Sequence, residues 1–518
     1  MEFVSDPPIA VKIQKMSERV RWQDPQVTAR GIDQTQLAFD PQGDDEQEFS
    51  FLVIGDSGSG RHRKHNPQRQ IAKQMSEYRD RSRFILHTGD VVYLVGSSEF
   101  YRKNFIEPYR EFIVGGDKPK KIEYDEMVFK IPFLPVLGNH DYYDLPLVYG
   151  LMGGVTQPLR RLLHLNLDIS WHGSKQGKAY AKAFLDYLKA FNTDEELQRH
   201  LDQHYTAKTD RGRCLYYQPG KFTRLPNRYY CFRSGGIDFF ALDSNTFNAP
   251  NPLPATREGE AYRHALENRL YELEQKKLQI LQGSKKLHSD SPEDAEELDD
   301  MEAHLEQIEE IKLDIEKQLA ADESTVTDYE QLNWFKQKLI ESWQTPEVRG
   351  RVVYLHHPPY VTEATKWQQA QTLAVRRHLR DVFDNVAQEI GDLQGRSLVD
   401  LVLTGHAHCL EYLRTGDTGH ADSNINWIIC GGSGYSLRRQ KKEGPELTET
   451  IDGKQRVVAR SHLYLGRMGS SSQTRRPYSF LRIDVQAGNP AKFIVQPLIA
   501  ERFQRQWIDS HVDSFVLE

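Results

Sequence analysis

FLVIGDSG, residues 51–58, is an apolar run that breaks into a glycine-flanked carboxylate. A short continuous apolar run suits a strand buried on both faces. The turn after it has two readings. Residues 55–62, GDSGSGRH, nearly spell the loop in which backbone amides cradle a nucleotide phosphate. That loop ends in Lys followed by Ser or Thr, and Arg61 and His62 stand there instead. The other reading is a turn that presents one carboxylate, Asp56, to a metal ion.

The same texture recurs along the chain. RFILHTGD ends at Asp90, FLPVLGNHD at Asp141, RVVYLHHPP at Pro359 and VDLVLTGHAH at His408. DFFALDSN and INWIICGGSG follow the same pattern. Helix-period segments such as QRQIAKQMSEYR and YEQLNWFKQKLIESW lie between them. Strands alternating with helices predict an α/β or α+β layered fold. The polar clusters fall at the C-terminal strand ends, where open sheets place their ligands.

Composition narrows the function classes. The chain has 518 residues and a formal net charge of −7, so no global basic field points to nucleic acid. The four cysteines, Cys214, Cys231, Cys409 and Cys430, form no C-x-x-C pair and read as small buried hydrophobes. The N-terminus has no uninterrupted apolar segment, and no stretch of roughly 18 apolar residues exists to span a membrane. A cytoplasmic location is the expectation.

Four regions are expected. Residues 1–49, rich in Pro, Gln and Asp, read as an irregular extension. Residues 50–256 and 323–518 read as two parts of one catalytic domain. The second part ends in alternating segments, HLYLGR, YSFLRIDV and KFIVQPL, expected to complete a second sheet. Residues 257–322 repeat apolar positions at spacings of three and four. Leu266, Leu270, Leu273 and Ile280 form one stripe, and Leu298, Met301, Leu305, Ile308, Ile315 and Leu319 the other, with Lys277 and Lys312 as polar breaks. This predicts an inserted antiparallel, coiled-coil-like helical hairpin. It serves as a solvated shield for one edge, or as a dimerisation arm, a platform for a protein partner, or a lid.

The strand-end clusters carry the chemistry. Asp56, Asp90, Tyr93, Asn139, His140, His356, His406 and His408 offer carboxylate, phenol, amide and imidazole donors. These suit Fe, Mn, Zn or Mg, and not copper–thiolate or iron–sulfur chemistry. The ordered set GD-x-G, GD-x-x-Y, GNHD, H-x-P-x-Y and GH-x-H resembles the calcineurin-like metallophosphoesterases, and within them the purple acid phosphatases, over roughly residues 50–435 apart from the hairpin. Most of that superfamily begins D-x-H. Here Gly58 replaces the histidine, and Tyr93, three residues after Asp90, stands where purple acid phosphatases recover the lost ligand.

The resemblance implies a four-layer α/β/β/α sandwich of two mixed sheets flanked by helices. It implies two metal ions. Asp56, Asp90, Tyr93 and His408 hold the first, Fe(III). Asp90 bridges to the second, Fe(II), Zn or Mn, which also takes Asn139, His356 and His406. It implies a phosphomonoesterase working by attack of a metal-bound hydroxide, with His140 protonating the leaving oxygen or stabilising charge on the phosphoryl group, and Asp141 orienting His140. His357 is read as an outer neighbour of the metals or a substrate contact. Ser57 replaces an aromatic residue and is expected to leave the site more open. Arg61, Arg63, Lys64 and Arg69 form either a solvated basic loop or a clamp for multiply charged esters, small or on a protein. A phosphodiesterase or nuclease on the same metals, and an inactive scaffold acting through the hairpin, are the alternatives.

Overall fold

The structure is a computed structural model. It describes residues 4–39, 46–59, 65–145, 173–209, 212–284, 287, 292–451, 453–469, 473–504 and 506–517. Two mixed sheets face each other, with helices on their outer faces. The smaller sheet contains three parallel neighbours, β1 (Phe49–Ile54), β2 (Ile85–His87) and β3 (Phe133–Pro135). The larger, eleven-stranded sheet contains β4 (Gly350–Tyr354) and β5 (Leu401–Thr404), also parallel neighbours.

Side-chain alternation along the strands makes the layers. In the strand Ile237–Ala241, Phe239 faces the space between the sheets and packs against Phe51, Phe84 and Phe232. Its neighbour Phe240 faces the other way, into a core with Phe335 and Phe383. That outer layer is formed by two helices, Tyr329–Gln344 and Ala370–Ile390. On the far side the helix Pro67–Ser76 buries Ile71, Ala72 and Met75 in the core that includes the smaller sheet.

Two sequence expectations need correction. The extension is not irregular where it is described. Ile9–Val20 is a helix, and Ile32–Phe39 is a strand inside the larger sheet, paired on both sides. The helix buries Ile9, Lys12, Met16, Arg19 and Val20, so two of its inward positions are cations. That hides the stripe from an apolar-periodicity search. Lys12 pairs with Asp6, and Arg19 donates to the carbonyls of Lys175 and Gln176. The C-terminal segments also divide. The segment holding HLYL pairs with Leu410–Thr415 in the larger sheet, while Arg475–Gln486 and Lys492–Phe503 extend the smaller sheet from β1.

In chain order, between the strand Ile237–Ala241 and β4 come two long helices, α1 (Arg257–Ser284) and α2 (Pro292–Ala320). Leu273, Ile308 and Ile315 are buried between them, with Leu266, Leu270, Ile280, Ile311 and Leu319 alongside. Lys277 pairs with Glu309 and Lys312 with Glu274, so the breaks in each apolar stripe are ion pairs between the helices. All four cysteines are free and buried. Among the described residues no helix is long and apolar enough to cross a membrane.

Candidate metal centre

The site lies where the two sheets present their C-terminal strand ends to one point. β1, β2 and β3 deliver Asp56, Asp90 and Asn139; β4 and β5 deliver His356, His406 and His408. Asp56, Asp90 and His406 have φ of 52°, 56° and 64°. Left-handed backbone is uncommon for such residues and concentrates at functional turns.

Two groups of donors share one carboxylate. The Tyr93 hydroxyl lies 2.8 Å from Asp56 Oδ1, 2.8 Å from Asp90 Oδ2 and 3.1 Å from His408 Nε2. On the other side His356 Nε2 is 2.8 Å from Asn139 Oδ1 and 3.4 Å from Asp90 Oδ2. Asp90 therefore belongs to both. Two imidazoles are fixed from behind. His356 Nδ1 donates to the Thr88 carbonyl (2.8 Å) and His408 Nδ1 to the Ser436 carbonyl (3.1 Å). Each Nε2 is thereby turned towards the carboxylates, as the outer partners of ligating histidines commonly arrange.

The donors that the sequence motifs singled out are thus brought together at one point. The missing histidine of the first motif also has a structural cause. A Cβ on Gly58 would lie 2.0 Å from the Val91 carbonyl oxygen. No side chain fits there, and the Gly58 carbonyl instead accepts the Tyr93 N–H at 2.8 Å. The backbone packing that leaves no room for a side chain at Gly58 also positions Tyr93.

The donors fit bound metal. One atom each from Asp56, Asp90 and His356 lie within 4.8 Å of one another, all buried. Burial, with Asp90 adding repulsion, pushes the Asp56 carboxyl well above the carboxylate range. Burial opposes charge on Asp90 too, but His356 holds it below that range. Burial also opposes charge on His356, yet Asp90 raises it to about 9. Burial, then Asp56 and Asp90, push the Tyr93 phenol well above 10. Burial thus holds the Asp56 carboxyl and the Tyr93 phenol protonated, and a bound cation is what would let them ionise.

Other predicted residues behave differently. Asp141 does not orient His140. Its carboxylate accepts from the backbone N–H groups of Gly138, Asp90 and Val91, tying the second motif to the third. His140 Nδ1 instead donates to the Leu94 carbonyl at 2.6 Å. His357 is no substrate contact: Ser244 and Asn248 engage its two ring nitrogens and it is fully buried. Ser57 is buried too, with its hydroxyl on His87 Nε2, so it opens nothing. Arg69 pairs with Glu111 through two 2.6 Å contacts. Arg61, Arg63 and Lys64 lie outside the described residues.

His406 is reached but not free. Its Nε2 accepts from Lys366 Nζ at 2.9 Å and lies 3.2 Å from Gln371 Nε2. Lys366, Tyr435 and Arg438 were missed by motif reading. Tyr435 stacks on Tyr93, with centroids 4.0 Å apart and planes at 6°. Arg438 donates its backbone N–H to the His408 carbonyl. Their one sequence signal is position, in the loops that follow the HHPP and CGGSG strand ends.

No family model and no curated protein matches the chain. Solved structures resemble it loosely. A purple acid phosphatase from yellow lupin (Lupinus luteus) seeds shares 12% identity at a TM-score of 0.40, over 90% of this chain and 53% of that one. The chain thus spans about half the length of that protein. A dimetal phosphatase from Danio rerio shares 11% at 0.33, over 90% and 98%. A protein described as the anchor in the inner membrane complex of Plasmodium shares 12% at 0.37, over 91% and 88%. The site is read from its own residues and not from these superpositions.

Proposed function

We propose that the protein is a dimetal hydrolase of phosphate monoesters. The observation that carries this reading is the shared carboxylate of Asp90, with a phenol and a histidine on one side of it and an amide and a histidine on the other. Asp56, Asp90, Tyr93 and His408 would hold one metal; Asp90, Asn139, His356 and His406 would hold the second. Bound metals supply Lewis-acid charge at the phosphoryl oxygens and activate water. The chain's own part is to orient and to move protons. His140 lies against the Tyr93 ring, centroids 4.3 Å apart, on the rim of the same site. With Nδ1 committed to the Leu94 carbonyl, Nε2 is the atom that gives a proton to the leaving oxygen.

Tyr93 bears on the metal. A phenol that burial and two carboxylates hold protonated ionises only against a strongly charged cation. That favours Fe(III) at this position, with Fe(II), Zn or Mn at the other. Tyr93→Phe should weaken the first metal and abolish any visible charge-transfer absorption, read by spectrophotometry beside metal analysis. A band that survives in Tyr93→Phe assigns the colour to another group. For substrate class, rates on p-nitrophenyl phosphate should exceed those on bis-p-nitrophenyl phosphate. Dominant diester turnover sinks the monoester assignment.

A further inference from the structure

α2 does more than pack on α1. Residues 303, 306, 310, 314 and 317 recur at spacings of three and four, so they share one face. Each meets the catalytic layers. The Ala303 carbonyl accepts from Arg438 at 2.7 Å, and Tyr435 donates to Glu306 at 2.8 Å. Glu310 lies 3.2 Å from the Arg438 guanidinium and 3.1 Å from Lys366 Nζ. Asp314 accepts the backbone N–H groups of Ala370 and Gln371. Lys317 donates to Asn248, which in turn meets His357. The helix thus roofs the candidate metal centre.

Lys366 and Arg438 are the cations in this roof. They are 1% and 2% exposed; the Lys366 ammonium bonds His406 Nε2, while Arg438 is fixed beside His408 by its backbone N–H on the His408 carbonyl. Two cations buried this deeply need a compensating anion. Glu306 lies 3.5 Å from the Arg438 guanidinium, but the carboxylate that meets both cations is that of Glu310, and both acids come from the inserted helix. A carboxylate that bonds a lysine and an arginine at once has the charge of a substrate's acidic group.

We propose that Lys366 and Arg438 form a second anion subsite beside the metal centre, and that Glu310 is its resident occupant. The substrate class is then a phosphate monoester carrying a further carboxylate or phosphate, which displaces Glu310 when it binds. The inference rests on the monoesterase reading for the first anion position only.

Calorimetry on the metal-loaded protein tests it with two unreactive probes. Propylphosphonate has one anionic group, and 3-phosphonopropionate adds a carboxylate at similar size. The second should bind at least roughly tenfold more tightly, the scale of one charge-assisted hydrogen bond. Glu310→Gln should tighten 3-phosphonopropionate further and leave propylphosphonate unchanged, because it removes only the competitor. If Glu310→Gln does not fold, Glu306→Gln should act in the same direction through Arg438. Equal binding of the two probes in the wild-type protein and in these variants overturns the subsite. Loss of p-nitrophenyl phosphate hydrolysis with the probe preference intact overturns the monoesterase reading alone.

Discussion

Asp90→Asn should lower phosphate-ester hydrolysis by roughly 10³-fold or more, a loss of about 4 kcal/mol of transition-state stabilisation. The geometry makes the substitution a clean one. Asparagine tolerates the φ of 56° at this position as well as aspartate does. Its amide oxygen can keep the 2.9 Å bond that Asp90 Oδ1 accepts from the His140 backbone N–H. What disappears is the charge shared between the Tyr93–His408 group and the His356–Asn139 group. Bound metal should fall below two ions per chain. The rise in Tm that metal gives the native protein by binding only the folded state should shrink with it. Metal analysis, a thermal melt and a rate measurement on the same sample check this. Near-normal turnover with two metals retained would refute the shared role of Asp90.

The parts of this site that sequence makes legible are those set by short-range rules. Gly-Asp, Gly-Asn and Gly-His at strand ends are turn chemistry, and a run of seven donor residues in fixed order needs no tertiary information to recognise. Tyr93 is legible because the residue it replaces is missing at Gly58, thirty-five positions earlier by the numbering. The contact that enforces this, Gly58 against the Val91 carbonyl, appears only in the fold. Asp141 is adjacent to His140 in sequence and so reads as its orienting partner, but only the fold shows its carboxylate on three backbone N–H groups and His140 on the Leu94 carbonyl. The helix Ile9–Val20 was lost because its buried face includes Lys12 and Arg19. For α2 the apolar stripe announced a partner helix. The opposite, acidic stripe reads in sequence as a solvated face. Nothing local tells Glu306 and Glu310 apart from the other acids of that helix, because their partners Lys366, Tyr435 and Arg438 lie more than fifty residues away.

The second large effect concerns the proton. His140→Ala should reduce kcat by roughly 10²- to 10⁴-fold on an alkyl phosphate such as glycerol phosphate, whose leaving oxygen must be protonated as it departs. On p-nitrophenyl phosphate the loss should stay within about tenfold, since that leaving group is stable as its anion and needs little acid assistance. The contrast follows from placement. His140 holds Asp90 through its backbone N–H, which alanine retains, so the donor nest keeps its geometry and its metals. The imidazole stands beside Tyr93 and bonds the Leu94 carbonyl through Nδ1, so that Nε2 would be the proton donor of the proposed reaction. An equal loss on both esters, with metal content unchanged, would assign His140 to stabilising charge on the phosphoryl group. A loss confined to the alkyl ester makes it the general acid, because only a proton delivered to the leaving oxygen distinguishes the two substrates at this atom.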